Sequence, residues 1–380
     1  MYVAGLDAHT RYVVLVVLDR AGRSVLGPVR VPLGDEGKLV TTLAPFRPLE
    51  AVVETSATWP WLYEVLTGSG VDFVLAHAKR LRAIAEANYK ADAIDAELLA
   101  RMRLAGLIPM VYPTPGGQRE WATLVRHRTV LVRQRTALVN RIHAQLHAAG
   151  LSLARGRLLT RDGVTWLRTV AGPRLSAEQR RLVRSHLRLV AHLRPLVKAL
   201  DRRIAVVAPT IPDARLLQTI PGIGAHRALL ICAEALPVTR FQTPGHLASY
   251  AGLVPTSKQS GQRAVRHGPI PAGANRWLRG AFVRAVVSHT QHAPESWLTQ
   301  YYEAQKARLG WPVARLAAAR KLARAVHAML RTQSPWRSSI ESIESIESTP
   351  NTPSSTNSRN SRSSKSRTPA RVSSKDRMPH

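Results

Sequence analysis

Four acidic side chains stand out in a chain that has few: Asp7 in "AGLDAHT", Glu54 in "AVVETS", and Asp92 with Asp95 in "YKADAIDAELLARM". Asp92 and Asp95 are three residues apart, which places them on one helix face, where like charges repel. Taken alone, the pair suits an exposed first turn, because acids there complement the helix dipole. Asp7 and Glu54 are different. Each follows an apolar run of the kind that becomes a central strand, where an unpaired carboxylate is costly. Four converging acids repel strongly unless divalent cations sit among them. Magnesium prefers carboxylate oxygens together with substrate phosphate, and two such ions clamp a phosphodiester during displacement. The chemistry expected of Asp7, Glu54, Asp92 and Asp95 is therefore two-Mg2+ work on a phosphodiester.

The rest of the composition points to the same substrate class. The 380 residues carry 55 basic and 24 acidic side chains, a net charge of +31 that favours polyanionic partners. Arginine supplies 46 of the basic residues and lysine 9, and the planar guanidinium suits bidentate phosphate contacts. A membrane surface is the rival polyanion, yet no stretch approaches the ~18 apolar residues of a spanning helix. The N-terminus "MYVAGLDAHT" lacks a basic flank before an apolar run and does not read as a signal peptide. A single cysteine, Cys232, rules out an internal disulfide framework and a cysteine zinc cluster. The expectation is a cytoplasmic nucleic-acid protein without a membrane partner.

Those acids need a scaffold. Residues 1–112 read as α/β, with strands in "YVAGLDA", "RYVVLVVLD", "RSVLGPVRV", "EAVVETS" and "VDFVLAHA" and helices between and after them. The order βββαβαβα predicts a mixed five-stranded sheet with flanking helices, in which the first and fourth strands lie side by side. Asp7 and Glu54 then meet Asp92 and Asp95 on the packed helix. No Gly-rich phosphate fingerprint follows the first strand, which excludes a doubly wound nucleotide fold.

A "PTPGG" cluster closes this region, and 113–212 reads as a helical coiled-coil hairpin. "LVRHRTV", "LVRQRTA" and "LVNRIHA" repeat every seven residues, the mark of a long packed helix. Arg126 and Arg133 fall in this run as candidate nucleic-acid contacts. Ser176 and Gln179 have capping-box spacing for a return helix, Pro195 should kink it, and 150–174 reads as a loop-rich tip. Residues 213–335 form a mostly helical region. From 336 to 380 the composition collapses to Ser, Arg, Thr, Pro and Asn, a disordered tail.

Within 213–335, "TIPGIGAHRALLICAEA" reads as a helix-hairpin-helix-like turn. Gly222 and Gly224 permit the tight turn, and amides opening the next helix are placed to grip a phosphate. Further on, Ser260 sits in "KQSG" with Ser257 nearby and Lys258, Arg263 and Arg266 around it. Neither a Ser-His-Asp constellation nor a G-x-S-x-G elbow accompanies it.

The order Asp7, Glu54, Asp92, Asp95 resembles the DEDD pattern of the RuvC and RNase H-like nuclease fold. The motifs "GLDAHT", "VVETSATW" and "KADAIDAELLA", followed by "IPGIG…RF…LASYAGLVP…QSG…GANRWLR", resemble the DEDD transposases of the IS110 insertion-sequence family, including its IS1111 branch. Thr10 and Ala91 depart from that pattern, and neither is a proposed ligand. The resemblance implies a transposase that joins a RuvC-like metal site to a serine nucleophile, which maps to Ser260, with Ser257 the other candidate. It implies a covalent phosphoserine link to DNA, and donor and target duplexes as partners. A structured bridge RNA would act as guide, and a homo-oligomer, dimer or tetramer, would assemble, with the heptads at 124–144 the candidate protomer contact. The competing readings are a RuvC-like endonuclease that activates water, a DNA invertase of the same family, and a non-catalytic nucleic-acid-binding protein.

Overall fold

Alternation along the first strand sets the architecture of the N-terminal region. In β1 (Tyr2–Ala8), Ala4 and Leu6 face one hydrophobic core while Val3 faces another. The computed structural model describes residues 1–84, 92–154, 156–258, 266–271 and 273–338. Strands β2 (Tyr12–Leu18) and β3 (Ser24–Pro32) follow as an antiparallel meander. Helix α1 (Glu36–Leu43) leads to β4 (Leu49–Glu54), and α2 (Trp59–Gly68) leads to β5 (Asp72–Ala76). Helices α3 (Ala78–Ile84) and α4 (Asp92–Leu104) precede β6 (Met110–Val111). The sheet order is β3-β2-β1-β4-β5-β6, with β1, β4 and β5 parallel. This is an RNase H-like arrangement with six strands rather than the expected five. β6 has only two residues, too few to show a period in sequence.

Helices cover both faces of the sheet. Leu39 and Leu43 of α1 and Leu62 and Leu66 of α2 pack with Leu6, Leu15 and Val53. On the opposite face, Ala96, Leu99, Ala100 and Met102 of α4 pack with Val3, Val16, Leu18 and Val52. Helix α4 reaches the sheet closely because β1 offers Gly5 at the crossing, next to Ala96 and Ala100. The far end of α4 is fixed by Arg103, whose guanidinium pairs with both carboxylate oxygens of the buried Glu50 on β4.

The heptads form α5 (Gly116–Ala148), 33 residues and about 50 Å long. After α6 (Arg161–Trp166), a π-turn at Leu167–Ala171 and α7 (Gly172–Arg174), the chain returns as α8 (Ala177–Val207). The expected loop-rich tip is thus largely helical around its own small core of Leu151, Leu158, Leu167 and Leu175. α5 and α8 run antiparallel: Arg128 pairs with Asp201 near one end, while Ile142 and Leu146 pack with Val183 near the other. Ser176 and Gln179 form the anticipated capping box, and α8 continues through Pro195 without a break. The seam residues Val125, Leu131 and Leu138 are buried inside the chain. The chain's own helices thus take up part of that seam, while Leu124, Val132 and Val139 of the same heptads stay only partly buried.

The remaining described chain is mostly helical: α9 (Pro212–Leu217), α10 (Ala225–Ala235), α11 (Pro244–Tyr250), α12 (Arg276–His292), α13 (Trp297–Leu309) and α14 (Trp311–Thr332). A two-stranded ribbon, β7 (Ser257–Lys258) with β8 (Arg266–His267), interrupts it. α10 is buried nearly all round, with Leu229, Leu230, Ile231 and Cys232 at its centre. Gln118 at the start of α5 donates to the carbonyls of Cys232, Ala233 and Leu236, tying the hairpin to this region. Trp336 stacks on Trp297 at 5.2 Å between centroids. The tail from 339 onward lies outside the described residues.

Candidate metal centre and transposase motifs

Asp7 is the second-to-last residue of β1, and Asp92 opens α4. The parallel register pairs Leu6 with Val53, so one step further sets Asp7 beside Glu54, the last residue of β4. Register neighbours in parallel strands share a face. The shared face is that of Val3 and Val52, the one α4 covers. Two sequence-distant carboxyl positions and the first turn of α4 therefore meet at one end of the sheet.

His9 lies between the carboxylates. Its Nε2 is 2.8 Å from Asp7 Oδ2 and 3.3 Å from Asp92 Oδ1. Tyr12 donates its hydroxyl to Asp92 Oδ2 at 2.8 Å, and the Arg30 guanidinium sits 3.3 Å from the Tyr12 ring centre. The Asp92 bond pushes the Tyr12 hydroxyl pKa up. Burial raises the Asp7 pKa above the usual carboxyl range, His9 opposes this, and the charges of Asp95 and Asp92 raise it further. Asp95 is thus near enough to feel Asp7.

The donor set fits a divalent cation. Ligand atoms of Asp7, His9 and Asp92 lie within 4.8 Å of one another. The His9 Nε2 is buried between the two acids, so an ion bound there would take one atom from each of the three side chains. Sequence reasoning missed His9 and Tyr12. His9 was legible in principle, because it follows Asp7 by two, the strand period that returns to the same face.

The other anticipated residues fall in several places. Gly222 has φ +83°, and a Cβ there comes 2.7 Å from the His289 backbone nitrogen, so its role is close packing on α12. Gly224 is the N-cap of α10, with open space where a Cβ would be. Arg126 makes two hydrogen bonds, 2.6 and 2.8 Å, to the buried carboxylate of Glu234. Arg133 is exposed, with its guanidinium 5.0 Å from the Trp277 ring centre. Ser257 and Lys258 lie on β7 and Arg266 on β8. Ser260 and Arg263 lie outside the described residues.

Both halves of the chain match known families. Residues 4–150 match the DEDD transposase family named for IS110, and residues 214–303 match the family described as Transposase IS116/IS110/IS902. The chain belongs to the IS110 family of transposases. It is 25% identical over 304 residues to the transposase for insertion sequence element IS1111A of Coxiella burnetii, covering 78% of this chain and 82% of that one. Identity to the transposase for element IS1328 of Yersinia enterocolitica is 26% over 292 residues, 76% of this chain and 85% of the relative. The pilin gene-inverting protein of Moraxella bovis is 34% identical over 103 residues, 26% of this chain and 32% of that protein. As an IS110-family transposase, the chain acts in DNA transposition and binds DNA, and its DEDD domain implies a divalent metal. Among the described residues, no helix is long and apolar enough to cross a membrane.

Proposed function

We propose that this transposase cuts and rejoins DNA through a phosphoserine intermediate on Ser260, with two Mg2+ ions held by Asp7, Glu54, Asp92 and Asp95. A structured bridge RNA selects donor and target duplexes, and a dimer or tetramer brings them together. The observation that carries the reading is the convergence of Asp7, His9 and Asp92 where β1 ends and α4 begins. When bound, the ions supply a Lewis acid that polarises the scissile phosphate. The protein's own residues do the rest. Tyr12 fixes the orientation of Asp92, and burial keeps Asp7 reluctant to ionise without a cation.

The Ser260 hydroxyl loses its proton as its Oγ forms a bond to phosphorus. One phosphorus–oxygen ester bond to deoxyribose breaks, and the departing sugar oxygen takes up a proton. Attack by the hydroxyl of another DNA end reverses the sequence and frees the serine. The ester bond is conserved at each step, so no nucleotide cofactor is required.

Incubating the protein with Mg2+, RNA transcribed from the element's non-coding end and DNA carrying element ends, then mapping any phosphate-linked peptide, tests this reading. An adduct at Ser260, abolished by Ser260→Ala and by Asp7→Asn, is expected. Cleavage that persists in Ser260→Ala without an adduct identifies a water-using nuclease, and an adduct at Ser257 moves the nucleophile. Inversion of a segment between paired sites, without transposition, identifies the invertase reading. No Mg2+-dependent cleavage at all leaves only a binding protein.

A further inference from the structure

Far along the chain from Asp7, four arginines surround a cavity of about 710 Å3 where α5, the start of α10 and α12 meet. Arg128 and Arg133 come from α5, Arg227 from the first turn of α10, and Arg284 from α12. Asp201 neutralises one of them, because it is held by Arg128. Arg227 donates to the Gly222 carbonyl, and Arg133 lies over the Trp277 ring. Arg284 has neither a hydrogen-bond nor an ion-pair partner among the described residues.

Such an arrangement costs stability. The cavity walls desolvate Arg284 although much of its surface still reaches solvent, and the charges of Arg133, Arg227 and Arg128 lower its pKa further. Arg227 is lowered for the same two reasons, burial first and then Arg128. His226, on the cavity lining, is driven down to about 4 by burial and Arg128, so it stays neutral and adds no charge. Four like charges gathered with only Asp201 against them destabilise the empty protein, and a ligand of opposite sign offsets that cost.

The start of α10 opens on the same space. Gly224 is its N-cap and supplies no capping side chain, so the Ala225 and His226 amides and the positive end of the helix dipole face outward there, while the Arg227 amide donates to the Gly224 carbonyl. A Cβ at Gly224 would meet nothing within 4 Å, so a ligand finds room close to the backbone. The volume matches that of pockets that take a nucleotide-sized group. Arginine forks match paired phosphate oxygens bidentately, and a phosphodiester presents two such non-bridging oxygens.

We infer that the cavity bounded by Arg128, Arg133, Arg227, Arg284 and the Gly224 end of α10 is a seat for an internucleotide phosphate of a bound nucleic-acid strand. The inference rests on the transposase reading and adds a specific anchoring point to it, away from the metal centre in sequence. Duplex DNA and guide RNA present the same phosphodiester, and the experiment separates them.

Binding of the full chain to a random-sequence DNA duplex and, separately, to an RNA stem–loop is measured across a salt series for wild type, Arg284→Gln and Arg284→Lys. Melting temperatures without nucleic acid are recorded at low salt. Losing one phosphate contact reduces the slope of log affinity against log salt by about 1. Arg284→Gln should show that loss on at least one ligand, which identifies the strand. It should also melt at an equal or higher temperature when empty, because one unpaired cation is gone, while Arg284→Lys keeps the slope. Two outcomes overturn the proposal: slopes unchanged on both ligands, or a reduced slope with a lowered melting temperature in the empty protein, which marks a structural arginine. The Ser260 adduct, read at saturating DNA, is a separate measurement. An intact adduct with an unchanged salt slope defeats only the phosphate seat, and a missing adduct with the expected slope defeats only the serine chemistry.

Discussion

Gly5 of β1 and Ala96 of α4 approach so closely that a Cβ placed on Gly5 would lie 1.8 Å from the Ala96 carbonyl oxygen. No L side chain fits there. The contact sets the distance between sheet and helix, and Asp92 and Asp95 begin that helix while Asp7 lies two residues beyond Gly5. Gly5→Ala must lift α4 or distort β1, and overpacking of this kind costs about 1–3 kcal/mol. We expect a lower urea midpoint and a larger proportional loss of Mg2+-dependent cleavage. Gly27→Ala, with open space around it, should change neither. Full cleavage activity in Gly5→Ala would separate the metal centre from this contact.

The pH dependence of the empty protein follows from Asp7. Its pKa is raised in the fold above the ordinary 3.8, chiefly by burial. A carboxyl with a raised folded pKa stabilises the fold at low pH, and that contribution is lost as pH rises through the folded value. In EDTA, the part of the melting curve that Asp7 governs should therefore decline as pH rises out of the carboxylate range, and Asp7→Asn should flatten it. Mg2+ or Mn2+ added at neutral pH offsets the cost of ionised Asp7 and should raise the wild-type melting temperature. An equal metal-induced rise in Asp7→Asn would place the ion elsewhere.

Much of this geometry is readable in sequence because the proposed ligands on the sheet sit where apolar strands end. Asp7 and Glu54 follow buried runs, and the meander puts their strands in contact, so their meeting follows from topology alone. Asp92 and Asp95 announce a shared helix face by their spacing. Tyr12 is different. It reaches Asp92 across 80 positions of sequence through the β1–β2 turn, and no periodicity shows that. The heptads of α5 and the capping-box spacing at Ser176 pointed to a hairpin, although a seven-residue repeat by itself is satisfied equally by α8 or by another chain. The arginine cavity was hidden for a similar reason. Arg133 stood out in its heptad, whereas Arg227 and Arg284 come from helices whose crossing only the tertiary structure defines.

The Glu50–Arg103 pair that fixes the other end of α4 should respond asymmetrically. Glu50 is buried at 6% relative exposure, while the Arg103 side chain retains 30%. Removing the arginine strands a carboxylate with little access to water, a loss of about 3–5 kcal/mol in comparable buried pairs. Removing Glu50 leaves an arginine that can still reach solvent. Chemical denaturation should rank Arg103→Ala as more destabilising than Glu50→Ala, and the double variant Glu50→Leu with Arg103→Met should recover part of the loss. The reverse ranking would mean that the carboxylate relaxes to water.

Asn275 offers a test with nearly constant shape. Its Oδ1 accepts from the Trp277 and Leu278 amides and caps α12, while its Nδ2 donates to Glu234 Oε2 at 2.8 Å. Glu234 is itself 4% exposed and accepts from Arg126. Asn275→Asp keeps the capping oxygen, which alone would favour the helix start. It also replaces the amide donor with a second carboxylate oxygen facing Glu234, and one arginine then has to hold two acids. Truncation in Asn275→Ala loses the cap, worth about 0.5–2 kcal/mol, and leaves one oxygen of Glu234 short of a donor. Near neutral pH, Asn275→Asp should destabilise at least as much as Asn275→Ala despite its better cap. Below the carboxylate range, where the new acid is protonated and can donate again, it should regain stability relative to Asn275→Ala. A pH-independent gap between the two variants would show that Asn275 acts through its cap alone and not through Glu234.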